Sequence, residues 1–234
     1  MLEVKDLTVS YEKGTTVIEN LQLMLEPGKI HGIVGLNGSG KTSLLNAMYG
    51  LIPKKNGVIS WNSQPATSQQ MAYLETHNFF YAKITGQEYL RLFQLKNPQF
   101  DINQWNTLFE LPLQKLVENY STGMKKKLAF LGVLALNRPV LILDEPYNGV
   151  DLESYTKMQT ILQKLAQQGK AILITSHIFE SLTSVCDQIS FLQNKKIERM
   201  FAKKEFDQLA QEVFSLLDQQ SSHLINNLLD NQAD

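Results

Sequence analysis

The sequence has little of several features that would define other protein classes. It contains one cysteine, Cys186, so no disulfide can form within the chain, and we expect a reducing compartment. Lys and Arg number 22 against 23 Asp and Glu, which leaves no basic excess for binding nucleic acid. The longest apolar run, Leu128 to Leu136, is far below the roughly 18 residues that a membrane-spanning helix needs. No charged and apolar leader opens the chain, so we expect a cytoplasmic protein that reaches a membrane only through a partner.

Alternation of apolar and polar residues predicts strands in the first part of the chain. A short buried strand then leads into a glycine-rich loop, and the helix after it ends at Gly50 and Pro53. The predicted elements are strands at 2–10, 17–25, 29–34 and 57–61 and a helix at 42–49.

The middle of the chain has a different pattern. Helical periodicity dominates from Thr85 to about Leu136, with Pro98 and Pro112 as interruptions, which predicts an inserted helical region. Apolar runs at 140–143 and 171–175 then predict buried parallel strands, and a helix at 152–168 between them completes a crossover unit.

The most informative motif is Gly-Leu-Asn-Gly-Ser-Gly-Lys-Thr, which occupies residues 35–42 and fits G-x-x-x-x-G-K-[ST] at every fixed position. Its glycines allow backbone N–H groups to approach phosphate oxygens, and the following helix points its positive dipole end at them. Lys41 would reach the outer phosphates, and Thr42 would offer its hydroxyl to Mg²⁺. The motif therefore predicts a nucleoside triphosphate site.

Candidate acid groups follow the later strands, at the sheet edge where open α/β sheets bind ligands. Asp144 closes one apolar run and suits Mg²⁺, while Glu145 could orient and deprotonate a water. Because Pro146 interrupts the strand, the alternation does not say where the Glu145 side chain points. His177 follows the next run, and by itself it is a weak indication of function.

A second unusual segment runs from Ser121 to Lys127 as Ser-Thr-Gly-Met-Lys-Lys-Lys. Ser121 is a good N-cap for the helix that follows. Three lysines in a first helical turn oppose the helix dipole, and a bound anion would remove the conflict. The alternative is a solvated basic face that tolerates the small electrostatic cost.

Together these motifs resemble the ATP-binding cassette subunits of membrane transporters over nearly the whole chain, because they occur in that family's order. The resemblance makes 35–42 the Walker A loop, 140–144 the Walker B strand and Glu145 the catalytic glutamate. It also places the signature sequence at 120–124, the D-loop at 148–151 and the switch histidine at His177.

The fold implied by the resemblance is α/β, with a P-loop NTPase core and a mixed sheet. An antiparallel β subdomain would lie at the N-terminus, and a helical subdomain would be inserted at about 77–135. The whole of 1–234 would be a single nucleotide-binding domain.

The resemblance implies ATP hydrolysis coupled to transport, with ATP and Mg²⁺ as cofactors. Catalysis would fall to Lys41, Glu145 and His177. Tyr11 takes the place of the ring that stacks on adenine, although an ordinary tyrosine at a strand end is the alternative.

The implied metal ligands are Thr42, Asp144 and Glu75, while Ser43, directly after the loop motif, is excluded from the nucleotide contacts. The implied ATP-binding residues are Tyr11, Asn37, Gly38, Ser39, Gly40, Lys41, Thr42, Ser121, Gly123 and Asp151.

The sequence departs from the family's pattern at two places. Thr122 and Met124 replace a glycine and the glutamine of the signature, a variant similar to exporter-type cassettes that work with separate membrane subunits. The Q-loop glutamine is absent, and either Glu75 or Thr76 takes its position. The similarity to drug and peptide exporters favours Glu75.

The partners implied by the resemblance are a second cassette and a transmembrane permease. Two cassettes would form a head-to-tail homodimer or heterodimer, with each ATP between one chain's Walker A loop and the other's signature helix. The permease would dock at the aromatic residues 79–81, which could instead be part of the insertion's core. The chain would then lie at the inner face of the cell membrane.

Two other functions share some of these motifs. A P-loop kinase has the phosphate loop, but it would not be expected to combine a signature helix with Asp144, Glu145 and His177. A non-transport cassette ATPase, such as an assembly or repair subunit, has all of them.

The last part of the chain, 203–234, is predicted to form a helical tail. Its apolar stripe predicts either a contact with a partner or packing on the chain's own domain. The stripe consists of Phe206, Leu209, Val213, Phe214 and Leu217.

Overall fold

The computed structural model describes residues 1–11 and 14–215, which form two sheets with helices packed against them. The strands are β1 Leu2–Ser10, β2 Thr16–Leu25, β3 Ile30–Val34, β4 Asn56–Trp61, β5 Gln64–Pro65, β6 Met71–Leu74, β7 Val140–Asp144, β8 Ala171–Thr175, β9 Gln188–Gln193 and β10 Lys196–Ala202. The helices are α1 Lys41–Tyr49, α2 Gly86–Gln94, α3 Ile102–Asn106, α4 Thr122–Ala135, α5 Leu152–Gln167 and α6 Phe179–Thr183, followed by α7 at 206–215.

The larger sheet has six strands in the order β10-β9-β3-β8-β7-β6. Strands β6, β7, β8, β3 and β9 run parallel, and β10 is antiparallel to β9, so the sheet is mixed. Every residue of β3, β7 and β8 is buried, as expected for parallel strands that helices or other elements cover on both faces. The carboxyl ends of these strands meet at one edge and position the candidate site.

Successive residues of the buried strands face different cores, because side chains alternate across a sheet. Leu141 and Leu143 of β7 pack in the core formed with the helical insertion and α5. Val140 and Ile142 pack in a second core with α1 and the smaller sheet. The larger sheet is therefore the middle layer of the domain.

The smaller sheet is antiparallel, with the order β2-β1-β4-β5. Helices α2, α3 and α4 come between β6 and β7 and form the helical insertion. These features confirm the α/β fold with a mixed sheet, an antiparallel β subdomain and an inserted helical subdomain.

Four strands were missed by the sequence patterns: the two-residue strand β5, and β6, β9 and β10. Strand β6 is only four residues long, and β9 and β10 form a hairpin through Asn194 and Lys195. Both turn residues have positive φ angles, 48° and 71°. Lysine is not one of the residues that mark such a turn in a sequence, so the local signal was weak.

The first part of the predicted tail packs on the chain's own domain. Phe206, Leu209 and Val213 of α7 are buried and join the core that includes Phe201. Phe214 does not join this stripe, because it is 53% exposed. Leu217 and the rest of the tail lie outside the described residues.

In the parts of the chain that the structure describes, 1–11 and 14–215, none of the helices has the length and apolar character needed to cross a membrane.

A buried histidine, His31, lies near the start of β3. His31 is 1% exposed, its Nε2 lies 2.8 Å from Ser190 Oγ, and its Nδ1 lies 2.9 Å from Gln188 Nε2. Because the amide nitrogen of Gln188 donates, Nδ1 accepts and the proton of the neutral ring sits on Nε2. Burial lowers the pKa of His31 to about 4 from its ordinary value of 6.5.

This lowered pKa predicts loss of stability in acid. Between pH 6.5 and 4 the unfolded chain binds a proton on this residue that the folded chain does not bind. The free energy of unfolding should therefore fall by up to about 1.4 kcal/mol per pH unit on acidification across this range. Urea denaturation at several pH values should show a shallower dependence for His31→Gln than for wild type. The exposed His77 provides the control His77→Gln, and equal slopes for His31→Gln and wild type would contradict the prediction.

Candidate nucleotide-binding site

The loop at 35–42 connects β3 to α1, as the sequence predicted. Gly40 precedes the helix with a φ of 104°, a left-handed conformation in which an L side chain is strained. The first turn of α1 has no acidic residue and no side-chain cap, so no side chain of this turn competes for its N–H groups. The loop and helix thus present backbone donors suited to a phosphate. Asn37 and Gly38 are exposed at the tip of the loop.

The ammonium group of Lys41 lies folded over this loop. Its Nζ donates to the carbonyl oxygens of Gly35 at 2.7 Å and Leu36 at 3.3 Å, and the residue is 9% exposed. Burial lowers the pKa of Lys41, and the charges of Glu145 and Asp144 oppose part of that effect. A buried Ser39 Oγ has no hydrogen-bond partner among the described residues. The loop therefore holds a cation and a spare hydroxyl where an anionic ligand would supply acceptors.

Asp144 joins the loop to the ends of two strands. Its carboxylate is fully buried and accepts from Thr42 Oγ1 at 2.8 Å and from Thr175 Oγ1 at 2.5 Å. Within the described residues no group of three or more His, Cys, Asp or Glu could hold a metal ion. Thr42 and Asp144 supply two oxygen donors, which fits Mg²⁺ when phosphate and water oxygens complete its shell.

Glu145 has an unusual backbone conformation that aims its side chain. Its φ is 49°, and its N–H donates to Thr175 Oγ1 at 3.1 Å. Its Oε2 accepts from His177 Nδ1 at 2.9 Å, so the two candidate catalytic residues are in direct contact. The direction of this side chain, which the sequence left open, is set by the turn into Pro146 and by Thr175.

Thr175 was not identified from the sequence, although its hydroxyl contacts both members of the acidic pair. It donates to Asp144 and accepts from the Glu145 N–H. The register of β7 and β8 places Asp144 directly beside Thr175. The available signal was its position at the end of an apolar strand, two residues before His177.

The signature segment begins α4. Ser121 caps this helix by accepting from Met124 N–H at 3.2 Å, which is the N-cap that the sequence predicted. Gly123 lies against the backbone of 148–151, the segment predicted to be the D-loop, since a Cβ there would come within 2.4 Å of the Gly149 carbonyl oxygen. Within the described residues no hydrogen bond joins 121–123 to 35–42.

Two of the three lysines at the start of α4 contact acceptors of this chain. Lys126 is 4% exposed, and its Nζ donates to the carbonyl oxygens of Glu75 and Thr76. Lys127 Nζ donates to Asp151 Oδ2 at 3.1 Å. For these two lysines the interpretation as a solvated basic face is wrong, because protein oxygens take the place of water.

Asp151, a predicted nucleotide contact, caps α5. It accepts from Ser154 N–H at 2.9 Å and from Lys127. The Ser154 N–H is the main cause that holds the pKa of Asp151 well below its usual range, and Lys127 adds to it. The structure therefore places Asp151 in the link between α4 and α5.

Tyr11 lies beside the first turn of α1. Its hydroxyl is 2.9 Å from the Oγ of Ser43, the residue that the sequence excluded from the nucleotide contacts, and the residue is 47% exposed. An exposed ring next to the phosphate loop is available for stacking, and Ser43 helps to hold it there.

The two candidates for the Q-loop position have different surroundings. Glu75 is exposed and lines a groove with Tyr49, Tyr73 and Phe79, and no hydrogen bond among the described residues joins it to Thr42 or Asp144. Thr76 Oγ1 is buried without a hydrogen-bond partner in the described part of the chain. The metal-binding role of Glu75 stays a prediction.

Comparison with known proteins places this geometry in a family. The family described as ABC transporter matches residues 18–148, more than half of the chain. The chain belongs to the ABC transporter family. This membership favours the cassette interpretation over that of a P-loop kinase.

Individual relatives extend the similarity over most of the chain. The ABC transporter ATP-binding protein YtrB of Bacillus subtilis is 29% identical over 225 residues, which covers 92% of this chain and 76% of YtrB. The manganese transport system ATP-binding protein MntB of Listeria monocytogenes is 30% identical over 213 residues, covering 84% of this chain and 88% of MntB.

The fold is also that of a solved ABC cassette. A dimeric ATP-binding cassette in a post-hydrolysis state, bound to ADP and Pi, matches with a TM-score of 0.77 and 20% identity. The match covers 87% of this chain and 99% of that one.

The double role of the Thr175 hydroxyl predicts an effect on stability. Thr175→Val keeps the shape but leaves Asp144 Oδ1 and the Glu145 N–H each without one partner. We expect the free energy of unfolding to fall by about 1–3 kcal/mol, measured by urea denaturation. Thr175→Ser retains the hydroxyl and should recover most of the loss. A loss in the valine variant no larger than in the serine variant would contradict this role.

Proposed function

We propose that the chain is the ATP-binding and ATP-hydrolysing subunit of an ABC transporter and drives a separate transmembrane permease. The observation that carries the proposal is the continuous set of contacts from Thr42 through Asp144 and Thr175 to Glu145 and His177. It joins a phosphate-binding loop to a base candidate at one sheet edge.

ATP would bind with its phosphates on the 35–42 loop. Lys41 would exchange its bonds to Gly35 and Leu36 for phosphate oxygens, which supply negative charge to a buried ammonium. The ring of Tyr11 would stack on the adenine. When bound by Thr42 and Asp144, Mg²⁺ supplies positive charge beside the phosphate oxygens.

Glu145 is the proposed general base. One of its oxygens, Oε2, is bonded to His177, and Oε1 has no hydrogen bond among the described residues. Oε1 would accept the proton of a water whose oxygen attacks the γ-phosphorus, while the bond from that phosphorus to the β–γ bridging oxygen breaks and ADP leaves. His177 would keep the water and the γ-phosphate in line, so catalysis rests on positioning and charge.

A complete site would require a second cassette. Ser121 and Gly123 lie at the start of α4 and make no hydrogen bond to their own loop within the described residues. In the proposed head-to-tail dimer they contact the γ-phosphate of an ATP held by the partner's loop. Both a homodimer and a heterodimer satisfy this arrangement.

The proposed docking surface for the permease lies on the helical insertion. Phe79 is 73% exposed and Tyr81 is 61% exposed, and their rings pack edge to face with centroids 5.2 Å apart. They border the groove of about 370 Å³ that also contains Glu75 and Phe93. Exposed aromatic residues around a groove are typical of a protein-binding surface. A permease bound there would hold the chain at the inner face of the cell membrane.

Export is the direction that the signature variant favours. Thr122 and Met124 stand where the family has a glycine and a glutamine, as in exporter-type cassettes with separate membrane subunits. The name of the relative MntB refers to a manganese transport system and gives no direction of transport.

Replacement of Glu145 tests the catalytic part of the proposal. Glu145→Gln keeps the shape but cannot take a proton, so phosphate release from Mg²⁺-ATP should fall by about 10²- to 10⁴-fold. ATP binding should persist, because Lys41, Thr42 and Asp144 are unchanged. Closed dimers should then accumulate with ATP, which size-exclusion chromatography with light scattering would detect.

A matched control is Glu26→Gln, because Glu26 is exposed and precedes β3 at the end away from the loop. It should hydrolyse ATP like wild type. If Glu145→Gln hydrolyses ATP within about threefold of wild type, Glu145 is not the general base.

Replacement of the exposed aromatics tests the permease surface. The double variant Phe79→Ser and Tyr81→Ser should lose association with salt-washed membranes of the native source, because it removes the apolar contact area. ATP binding by the isolated chain should be unchanged. Leu95→Ser is the control, since Leu95 is 77% exposed and does not line this groove. Undiminished pelleting of the double variant would show that the permease docks elsewhere.

A further inference from the structure

Lys126 is a buried cation that the catalytic scheme does not use. Its Nζ donates to the carbonyl oxygen of Glu75 at 3.1 Å and to that of Thr76 at 2.9 Å. The residue is 4% exposed and lies in the first turns of α4. It therefore spans two segments that are 50 residues apart in the chain.

The segment that Lys126 holds lies between the acidic pair and the docking groove. Strand β6 pairs in parallel with β7, and the last pair in register is Leu74 with Leu143. The chain therefore leaves the sheet at 75–76 beside the end of β7, where Asp144 and Glu145 follow. The Glu75 side chain already lines the groove with Phe79 and Tyr81.

The acidic pair at that sheet edge also interacts electrostatically with the Lys126 ammonium. Burial lowers the pKa of Lys126 to about 8, while the negative charges of Asp144 and Glu145 act in the opposite direction. The ammonium is thus close enough to the acidic pair to be stabilised by it.

Few other polar contacts hold this turn. Thr76 Oγ1 is buried and has no hydrogen-bond partner among the residues described. Buried backbone carbonyls need a donor, and the Lys126 ammonium supplies one to two successive carbonyls. Because α4 also packs against α2 and β6, the ammonium joins the helical insertion to the exit of the sheet.

We propose that Lys126 is a positioning residue that makes the start of α4 and the 75–76 turn move as one unit, so that a shift of the docking groove reaches the Asp144–Glu145 edge. This inference rests on the proposed function and adds to it a specific mechanical link. The link acts through the two carbonyls and requires no contact of Lys126 with ATP.

The test compares Lys126→Met, which keeps the length but removes the donors, with Lys126→Arg, which keeps donors and charge. Lys125→Met is the matched control, because Lys125 is the neighbouring residue and its side chain makes no hydrogen bond or ion pair among the described residues. Amide hydrogen exchange of the nucleotide-free full chain would be followed at 75–78 and, for reference, in β7 and α1.

Exchange at 75–78 should rise by about tenfold or more in Lys126→Met and by less than about threefold in Lys126→Arg, with β7 unchanged. Lys126→Met should hydrolyse ATP with a kcat about tenfold below that of wild type and a KM for ATP within about twofold of wild type. A general loss of stability would instead raise exchange in β7 and α1 as well, and that result would overturn the proposal.

Exchange at 75–78 that stays within about twofold of wild type in Lys126→Met would also overturn it. A kcat equal to that of wild type in Lys126→Met, together with raised exchange at 75–78, would overturn the proposal as well. If wild type itself neither binds nor hydrolyses ATP, the proposed function fails, whereas the exchange measurement still decides whether Lys126 holds the turn.

Discussion

The site depends on a buried carboxylate, that of Asp144, and on how its charge is accommodated. Both of its oxygens accept hydroxyl hydrogen bonds, from Thr42 and Thr175. Lys41 and Lys126 are also largely buried, and the charges of Asp144 and Glu145 stabilise both ammonium groups. Burial of an unpaired charge is costly, so the two carboxylates and the two ammonium groups stabilise one another. The phosphate loop, two strand ends and α4 are thereby held around one point.

The start of α4 has a second organising role. Gly123 lies against the D-loop carbonyl of Gly149, Lys126 holds the 75–76 turn, and Lys127 pairs with Asp151. These contacts explain how lysines can occupy a helix start that disfavours cations, since acceptors of the protein offset the unfavourable dipole interaction. Through these interactions, the candidate nucleotide-binding residues Gly123 and Asp151 are connected to the groove that Glu75 lines.

Much of the fold could be predicted because its signals are local. The buried runs at 140–143 and 171–175, the loop at 35–42 and the helix after it all appear within a few residues of sequence. The short strands β5 and β6 were missed because two and four residues carry little periodicity. The hairpin of β9 and β10 was missed because the Asn194-Lys195 turn is not a strong turn signal.

By itself the sequence determined the phosphate loop, the Ser121 cap and the acidic pair, since each depends on residues close together in the chain. Only the tertiary structure decided that Thr175 lies beside Asp144, that Glu145 points at His177 and that Lys126 is buried against 75–76. These contacts join residues 31, 32 and 50 positions apart. Their geometry follows from strand register and from the packing of α4, which no local pattern of residues specifies.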